Sequence, residues 1–471
     1  MVSIGVHAQS SEFKFSPPQS QSTMQSPYSL SRTEVHGGVR FEASQYFSSI
    51  AANPKLDQSQ LVMTSFQLKN RTQSTRSVVD FNAGKYFDWG GSHFAVSELY
   101  TSGVFNNQRT QVSLGRKIEF WSQVDSDWQL GLWEPKYNLD ALRPMNQGLT
   151  GLFFKHQFGS WELLAYGTPV FIPTMNPEIK EQNGGLVSDS RWYKTPSRSS
   201  SVLNKDTQVY YSLNIPDIKR LVSNPGAGAR LKWGGLEDGP WMSINLSKKP
   251  INTLLMRYDA NMAVTSSNTY GEVVVGPAVG YHTLGGMDMG YYYSGGMVSV
   301  SYLEDSPKYQ EPEKEAGKDW VQQQPGALSI YSLHSDFNFE TRYLSDAIGL
   351  SFDYLRIVEK QTRDLDSLGG DRGSLLPYRM NFSNALSVKS VISSHLMGKR
   401  VLTHLKWLRD FDQLGTIIGA EMNVYPAQKW AFFMGADVLA VDDSSETNAD
   451  PRFINQFRAN DRVYGGMNYV F

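Results

Sequence analysis

From Gly38 onward apolar and polar residues alternate with a period of two, in runs separated by clusters of turn-forming residues. Val79, Phe81, Ala83, Phe87 and Trp89 stand against Asp80, Asn82, Gly84 and Asp88, and Trp430, Phe432, Met434, Ala436 and Val438 stand against Phe433, Gly435 and Asp437. Each run is a strand with one oily face. The pattern predicts strands at 38–50, 59–71, 76–89, 92–105, 109–118, 149–158, 161–169, 207–214, 227–234, 239–248, 252–264, 271–283, 288–303, 326–339, 342–357, 377–391, 398–409, 413–425, 428–440 and 462–471, about twenty in all. The long connections, 119–148, 170–206, 304–325, 358–376 and 441–461, all follow odd-numbered strands and therefore lie on one side. The other side has tight turns such as Gly159-Ser160, Glu340-Thr341 and Pro426-Ala427, one longer piece at 215–226, and both chain termini. A soluble sandwich has no reason to segregate its loops in this way, and the lack of a repeat at 20–50 residues argues against a propeller or solenoid.

Composition narrows this to one large closed sheet. A chain of 471 residues would ordinarily divide into two or three soluble domains, but no stretch reads as a domain linker. Mean hydropathy is −0.39, and no segment approaches the roughly eighteen consecutive apolar residues of a membrane helix. Aromatic residues are 13% of the chain. Membrane strands of about 9–11 residues, whose apolar signal is diluted by polar lumen positions, remain compatible with these values. Cysteine is absent, which removes disulfides, thiol nucleophiles and cysteine metal sites. A net charge of −2 gives no reason to expect nucleic acid as a partner.

The chain ends on an aromatic. Val463, Gly465, Met467, Tyr469 and Phe471 fall on one face of the last strand, and Arg462, Tyr464, Gly466, Asn468 and Val470 on the other. This ending resembles the C-terminal signature of Gram-negative outer-membrane β-barrel proteins. In that family a terminal Phe and apolar residues two and four positions before it are read by the barrel-assembly machinery. The resemblance implies a closed antiparallel transmembrane β-barrel, all-β, in the cell outer membrane, and the strand pattern sets its size at about 20 strands (18–22). Its partners would be outer-membrane lipid and lipopolysaccharide, and the assembly machinery acting through the last strand. At the other end, Met1 to Ala8 reads as the remnant of a signal peptide with a small residue after Val6-His7, and Gln9 to Val35 is rich in Ser, Gln and Pro and expected to be flexible. The expected organisation is a signal remnant and flexible segment at 1–37, then the barrel at 38–471.

If the aromatic and aliphatic face is outward, the strand at 326–339 turns His334, Asp336 and Asn338 into the lumen, and 342–357 adds Ser351 and Asp353. The C-terminal strands add Arg400, His404 and Lys406, then Glu421 and Asn423, Asp437, and Arg462 with Asn468. Opposite charges thus meet across neighbouring strands. They form either a charged constriction that selects solutes or an interior network that stiffens the wall.

The connection after the fifth strand carries the strongest local signal. From Leu114 it reads Leu-Gly-Arg-Lys-Ile-Glu-Phe-Trp, with Arg116 and Trp121, then Asp125, Asp127-Trp128, Leu130-Gly131-Leu132-Trp133-Glu134-Pro135 and Asp140. Three Trp interleaved with carboxylates are too apolar for a loop in water, so the loop is expected to fold into the barrel mouth and narrow it; the competing reading is an outside cap. Gly115-Arg116 and Trp121 resemble a segment of alginate-export-like outer-membrane barrels, but Glu134-Pro135 departs from it, so no substrate carries over.

Other patterns carry less. Asp364, Asp366 and Asp371 suggest a calcium loop, but Leu368 stands where an oxygen ligand is required. Asp442, Asp443, Glu446 and Asp450 could meet divalent cations or cation-bridged sugars of the outer leaflet, or simply solvent. No zinc-protease, hydrolase-elbow, phosphate-loop or dinucleotide motif occurs, and His404 has no identifiable nucleophile beside it, so no enzyme, cofactor or metal site is predicted. The expected function is passive diffusion of small polar or charged solutes through a channel narrowed by the Trp-rich loop. A barrel specific for a polysaccharide or a hydrophobic compound, and a structural or adhesive barrel with a closed lumen, are the alternatives.

Overall fold

A computed structural model describes residues 31–49, 54–88, 90–106, 109–202, 205–235, 238–264, 269–308, 317–340, 346–360, 376–442 and 452–471. The expected signal remnant, the acidic loop with Asp364, Asp366, Leu368 and Asp371, and Asp443, Glu446 and Asp450 lie outside the described residues, as does Trp89.

Eighteen antiparallel strands form one sheet that closes on itself. They are β1 Ser31–Tyr46, β2 Gln58–Thr72, β3 Thr75–Tyr86, β4 Ser92–Phe105, β5 Thr110–Lys117, β6 Leu149–Phe158, β7 Trp161–Thr168, β8 Gly226–Gly234 and β9 Gly239–Pro250. The second half comprises β10 Tyr281–Tyr293, β11 Gly296–Pro307, β12 Ala327–Glu340, β13 Ala347–Lys360, β14 Asn384–Leu396, β15 Lys399–Asp410, β16 Gly415–Ala427, β17 Trp430–Val441 and β18 Arg462–Val470. Closure is by β1 on β18, in register from Gly38 opposite Val470 to Tyr46 opposite Arg462. It continues one residue further, where Phe471 and Gly37 exchange backbone hydrogen bonds of 3.0 and 3.3 Å. The Phe471 ring lies directly over Gly37, where a Cβ would force the ring to turn aside.

Eighteen strands lie within the expected 18–22, but the assignment of segments to the barrel differs from the expectation. The segments expected at 207–214 and 252–264 are not staves. They belong to a separate five-stranded sheet, Ser199–Val202, Lys205–Leu213, Thr269–Ala278, Leu255–Val264 and Val321–Gln322, in which Lys205–Leu213 runs parallel to Thr269–Ala278. A half-exposed sheet built from loops has the same period of two as a membrane strand, so alternation alone cannot separate them. The runs expected at 271–283 and 288–303 are likewise repartitioned. β10 starts at Tyr281 and turns at Ser294-Gly295 into β11. Residues 169–225 then form one loop on the long-loop side, and the exception at 215–226 disappears. β1 also begins at Ser31, so the last residues of the segment expected to be flexible pair with β2 from Thr72 to Leu68.

The exterior is apolar. Leu114, Leu152, Ile244, Leu246, Val300, Leu333, Phe352, Leu405, Ile418 and Phe432 all point outward and are exposed. Near the tight turns Phe158, Trp161, Trp233, Trp430 and Phe471 form a girdle, with Trp430 and Tyr469 4.7 Å apart and Trp161 and Trp233 6.5 Å apart. A closed sheet leaves no unpaired backbone edge to hydrocarbon, and an oily band ending in aromatic rings is the exterior that a bilayer requires. The chain is therefore an outer-membrane barrel, with long loops outside and two-residue turns such as 159–160, 294–295 and 397–398 facing the periplasm. Among the described residues no helix is long and apolar enough to cross a membrane.

Candidate channel and its constriction loop

Residues 118–148 leave β5, fold into the lumen and return to β6. The fold of this loop starts locally. A short helix, α1 Gln123–Trp128, ends where Gln129 takes a left-handed conformation (φ 48°) and donates its N–H to the Asp125 carbonyl. The Asp125 carboxylate then accepts the backbone N–H groups of Leu132 and Trp133 at 2.9 and 3.0 Å, which turns the chain back on itself. Burial pushes the Asp125 carboxyl up, and the two amides oppose that. The turn brings Trp133 onto Trp121 with rings 5.3 Å apart and nearly parallel, and Trp121 meets the Tyr166 edge at 4.8 Å.

This aromatic group is the centre of a core inside the barrel. Leu284, Leu303, Leu328, Ile330 and Leu355 point inward from β10 to β13 and are completely buried, and Leu408, Ile417 and Leu439 continue the surface on β15 to β17. At these outer-rim positions the inward face of the wall is apolar. Leu328 and Ile330 share the inward register of His334, a feature hidden by the assumption that aliphatic residues face lipid. The aromatic contacts extend upward from Trp128 to Phe382 (6.2 Å), Phe453 (5.7 Å further) and Trp192, which stacks on Phe453 at 6.2 Å.

Three polar anchors fix the loop to the wall. On β9 and β10, Asp288 accepts the Gln123 N–H at 3.0 Å and the Ser122 hydroxyl at 3.2 Å and Asn245 donates to the Trp121 carbonyl at 3.0 Å, while Asn252, just past the end of β9, donates to the Gly131 and Leu132 carbonyls at 2.7 and 3.1 Å. On β12 to β14, His334 lies among three carboxylates: Nδ1 is 2.6 Å from Asp353 and 3.3 Å from Asp127 of α1, and Nε2 is 2.9 Å from Asp336. The Lys389 ammonium stands 3.0 Å from Asp353. Asp127, His334 and Asp353 are close enough to hold a metal ion, but the ammonium already supplies a positive charge beside them. Burial pushes Asp127 up to about 7, with the His334 charge opposing. The third anchor joins the loop to β1, β17 and β18. Arg143 pairs with Asp437 at 2.9 Å and Glu42 at 3.8 Å, and Arg462 pairs with Asp140 at 2.6 Å and Asp437 at 2.8 Å. Arg40 pairs with Glu42 and lies 3.9 Å over the Phe433 ring.

The structure thus divides the expected pore residues. His334, Asp336 and Asp353 are in the second anchor, and Asp437 and Arg462 in the third. Glu421 is buried, accepting from Asn423 at 2.8 Å and from the Tyr464 hydroxyl at 3.1 Å. Arg400 and His404 are exposed, and Lys406 is half-buried with Lys389 opposite it on β14. Among the expected loop residues, Trp121, Trp128 and Trp133 are buried core, and Asp140 faces the third anchor. Arg116 holds the loop's return by donating to the Gly148 carbonyl at 3.1 Å and to Gln147. Asp442, the described member of the acidic run, pairs with Arg409.

A cavity of about 460 Å³ lies between residues 137–146 of the loop and the wall of β1 to β4. It extends along β1 from His36 to Tyr46. Ten residues at roughly 3.3 Å each give about 33 Å, or about 25 Å of height at a strand tilt near 40°, matching an apolar band of about 25 Å. Its walls include Gln58, Ser65, Gln67, Asp80, Asn82, Tyr86 and His93. None of these was among the pore residues read from sequence. The alternation that places Asp80 and Asn82 opposite Phe81 and Ala83 was the available signal. At the outer end Arg191 forms a knot, donating to the carbonyls of Ser48 (2.7 Å), Leu56 (3.1 Å) and Ala459 and to Asp57 and Asn460, while lying 4.2 Å over Tyr46.

No family model and no curated protein matches the chain. Solved structures that are similar include OccAB4 of Acinetobacter baumannii, at 8% identity and a TM-score of 0.46, covering 95% of this chain and 100% of that one. Salmonella typhi OmpF, in a complex with daunomycin, has 8% identity and a TM-score of 0.41 over 94% and 98% of the two chains. A variant of the Rh. blastica porin has 11% identity and a TM-score of 0.37 over 93% and 100%. The assignment as a transmembrane barrel rests on the closed register and the apolar exterior.

Proposed function

We propose that the protein is a passive outer-membrane channel for small polar solutes, narrowed by the Trp-rich loop to a path along β1 to β4. The observation that carries this reading is the cavity that passes the docked loop over nearly the height of the apolar band. Selection would depend on the width and lining of that path. Lipid and lipopolysaccharide around the oily exterior, and recognition of β18 by the assembly machinery, belong to the same proposal. No catalytic role is assigned: His404 stands opposite Glu421 in the β15–β16 register.

The test is single-channel conductance of the refolded protein in a planar bilayer, with and without residues 119–148. The intact protein should give discrete openings, and the deletion should enlarge them several-fold. An equal conductance would remove the loop from the channel. The Arg191 knot over the outer end favours a second reading, a surface barrel with a closed lumen, which predicts no openings from the intact protein.

A further inference from the structure

We propose that the solutes selected by this channel are neutral saccharides, taken up by tyrosine rings and uncharged hydrogen-bonding groups; this rests on the channel reading above. The first support is the disposition of charge. The arginines of the narrow region, Arg40, Arg143 and Arg462, are matched in number by Glu42, Asp140 and Asp437, and each of the six has a partner within the group. The network binds the loop to the wall and has no formal net charge. Paired charges a few ångströms apart project little field beyond their own separation, so they discriminate weakly between anions and cations. The cavity's other lysine, arginine and carboxylate side chains are two of each sign, Lys69 and Arg191 against Asp80 and Glu98; Asp80 accepts from Gln67 at 2.7 Å, and Glu98 accepts the Ile118 N–H at 3.1 Å.

The second support is what lines the rest of the path. Gln58, Ser59, Ser65, Asn82 and Asn146 offer amide and hydroxyl groups from both the wall and the loop. Such groups donate and accept without requiring a charged partner, which suits the many hydroxyls of a sugar. Tyr46, Tyr86 and Tyr137 supply rings on three sides, and His93 lies between two of them, 5.3 Å from Tyr137 and 6.4 Å from Tyr86. Among the described residues neither ring nitrogen of His93 has a hydrogen-bond partner. A saccharide presents apolar C–H faces to rings and hydroxyls to the groups around them, so one ligand chemistry uses both kinds of lining. A volume of about 460 Å³ falls in the range of roughly 300–1,000 Å³ typical of small-molecule sites.

The experiment adds maltotriose, cellotriose or raffinose to the refolded full-length protein in a planar bilayer, with glutamate and lysine as charged comparators. It also titrates each compound calorimetrically into the protein in detergent. At least one trisaccharide should interrupt the current in proportion to its concentration, and cation and anion permeabilities should be near equal. The Tyr86→Ala/Tyr137→Ala double variant should weaken the block by about tenfold, while Tyr86→Phe/Tyr137→Phe, which keeps both rings, should retain most of it. Openings that no trisaccharide interrupts, without binding heat, overturn the saccharide assignment and leave the channel intact. So does a block confined to glutamate or lysine. Binding heat from a closed protein overturns the channel and keeps the saccharide site, and neither openings nor heat overturns both.

Discussion

The two sides of the lumen are built from the same period-two strands and end up opposite in character. On β9 to β17 the inward positions near the outer rim are Leu, Ile and buried polar groups, and the loop packs its tryptophans against them. On β1 to β4 the inward positions are mostly polar or charged, among them Arg40, Glu42, Ser65, Gln67, Asp80, Asn82 and Tyr86, with Leu61 and Met63 between them, and the loop stands off to leave the cavity. In the proposed channel the loop places the path by choosing a side. Apolar wall draws in its tryptophans, polar wall leaves water in place, and the ionic anchor at Arg143 sets the boundary between them.

The largest expected effect comes from breaking the packed side. Trp121→Ala combined with Trp133→Ala empties the centre of that core, and each truncation of a buried Trp costs about 3–5 kcal/mol. The loop should undock, conductance should rise towards that of the 119–148 deletion, and trypsin should cleave after Lys117 or Lys136. Retention of the wild-type conductance by this variant would mean that the packed side does not control the path.

Breaking the boundary should have a smaller effect. Asp437→Ala leaves Arg143 and Arg462 without their shared carboxylate in a buried setting, where loss of one partner costs about 3–5 kcal/mol. Glu42 and Asp140 remain to take part of that charge. The expected result is a noisier, wider channel with a shift towards anion selectivity, measured as a reversal potential in a salt gradient. Third in size, Arg191→Ala should loosen the knot at the outer end, where hydrogen bonds from a charged group contribute about 1.5–3 kcal/mol each. It should raise the fraction of time open without changing unitary conductance, since Arg191 lies above the narrow region.

The same comparison explains what could be read in the sequence. The exterior was legible because Phe352, Leu405 and Phe432 alternate with polar positions, and the terminal Phe471 was legible as the end of the last strand. The three tryptophans marked the loop as buried because a water-exposed segment has no use for them. Strand membership was not legible at Lys205–Leu213 or Leu255–Val264, where a loop sheet repeats the same period. His334, Asp336 and Asp353 could be placed on the inside, yet their role could not, because Asp127 reaches them from about two hundred residues away. The open side was missed because Ser65, Gln67 and Asn82 carry no charge and therefore drew no attention as chemistry.

The smallest predicted effect concerns pH at the packed side. Asp127 in α1 has its carboxyl raised by burial to about 7, against an ordinary value near 3.9. The docked loop therefore holds the proton more tightly than the released loop does. Its contribution to docking is complete below about pH 4 and is lost as pH rises through about 7. Asp127→Asn keeps the shape and cannot ionise, so it should remove this dependence. Melting temperatures of the two proteins in detergent should diverge between pH 5 and pH 8, with the wild type losing stability relative to the variant as pH rises. Parallel melting curves over that window would show that Asp127 ionises equally in the docked and released states, and the second anchor would then hold the loop by charge alone.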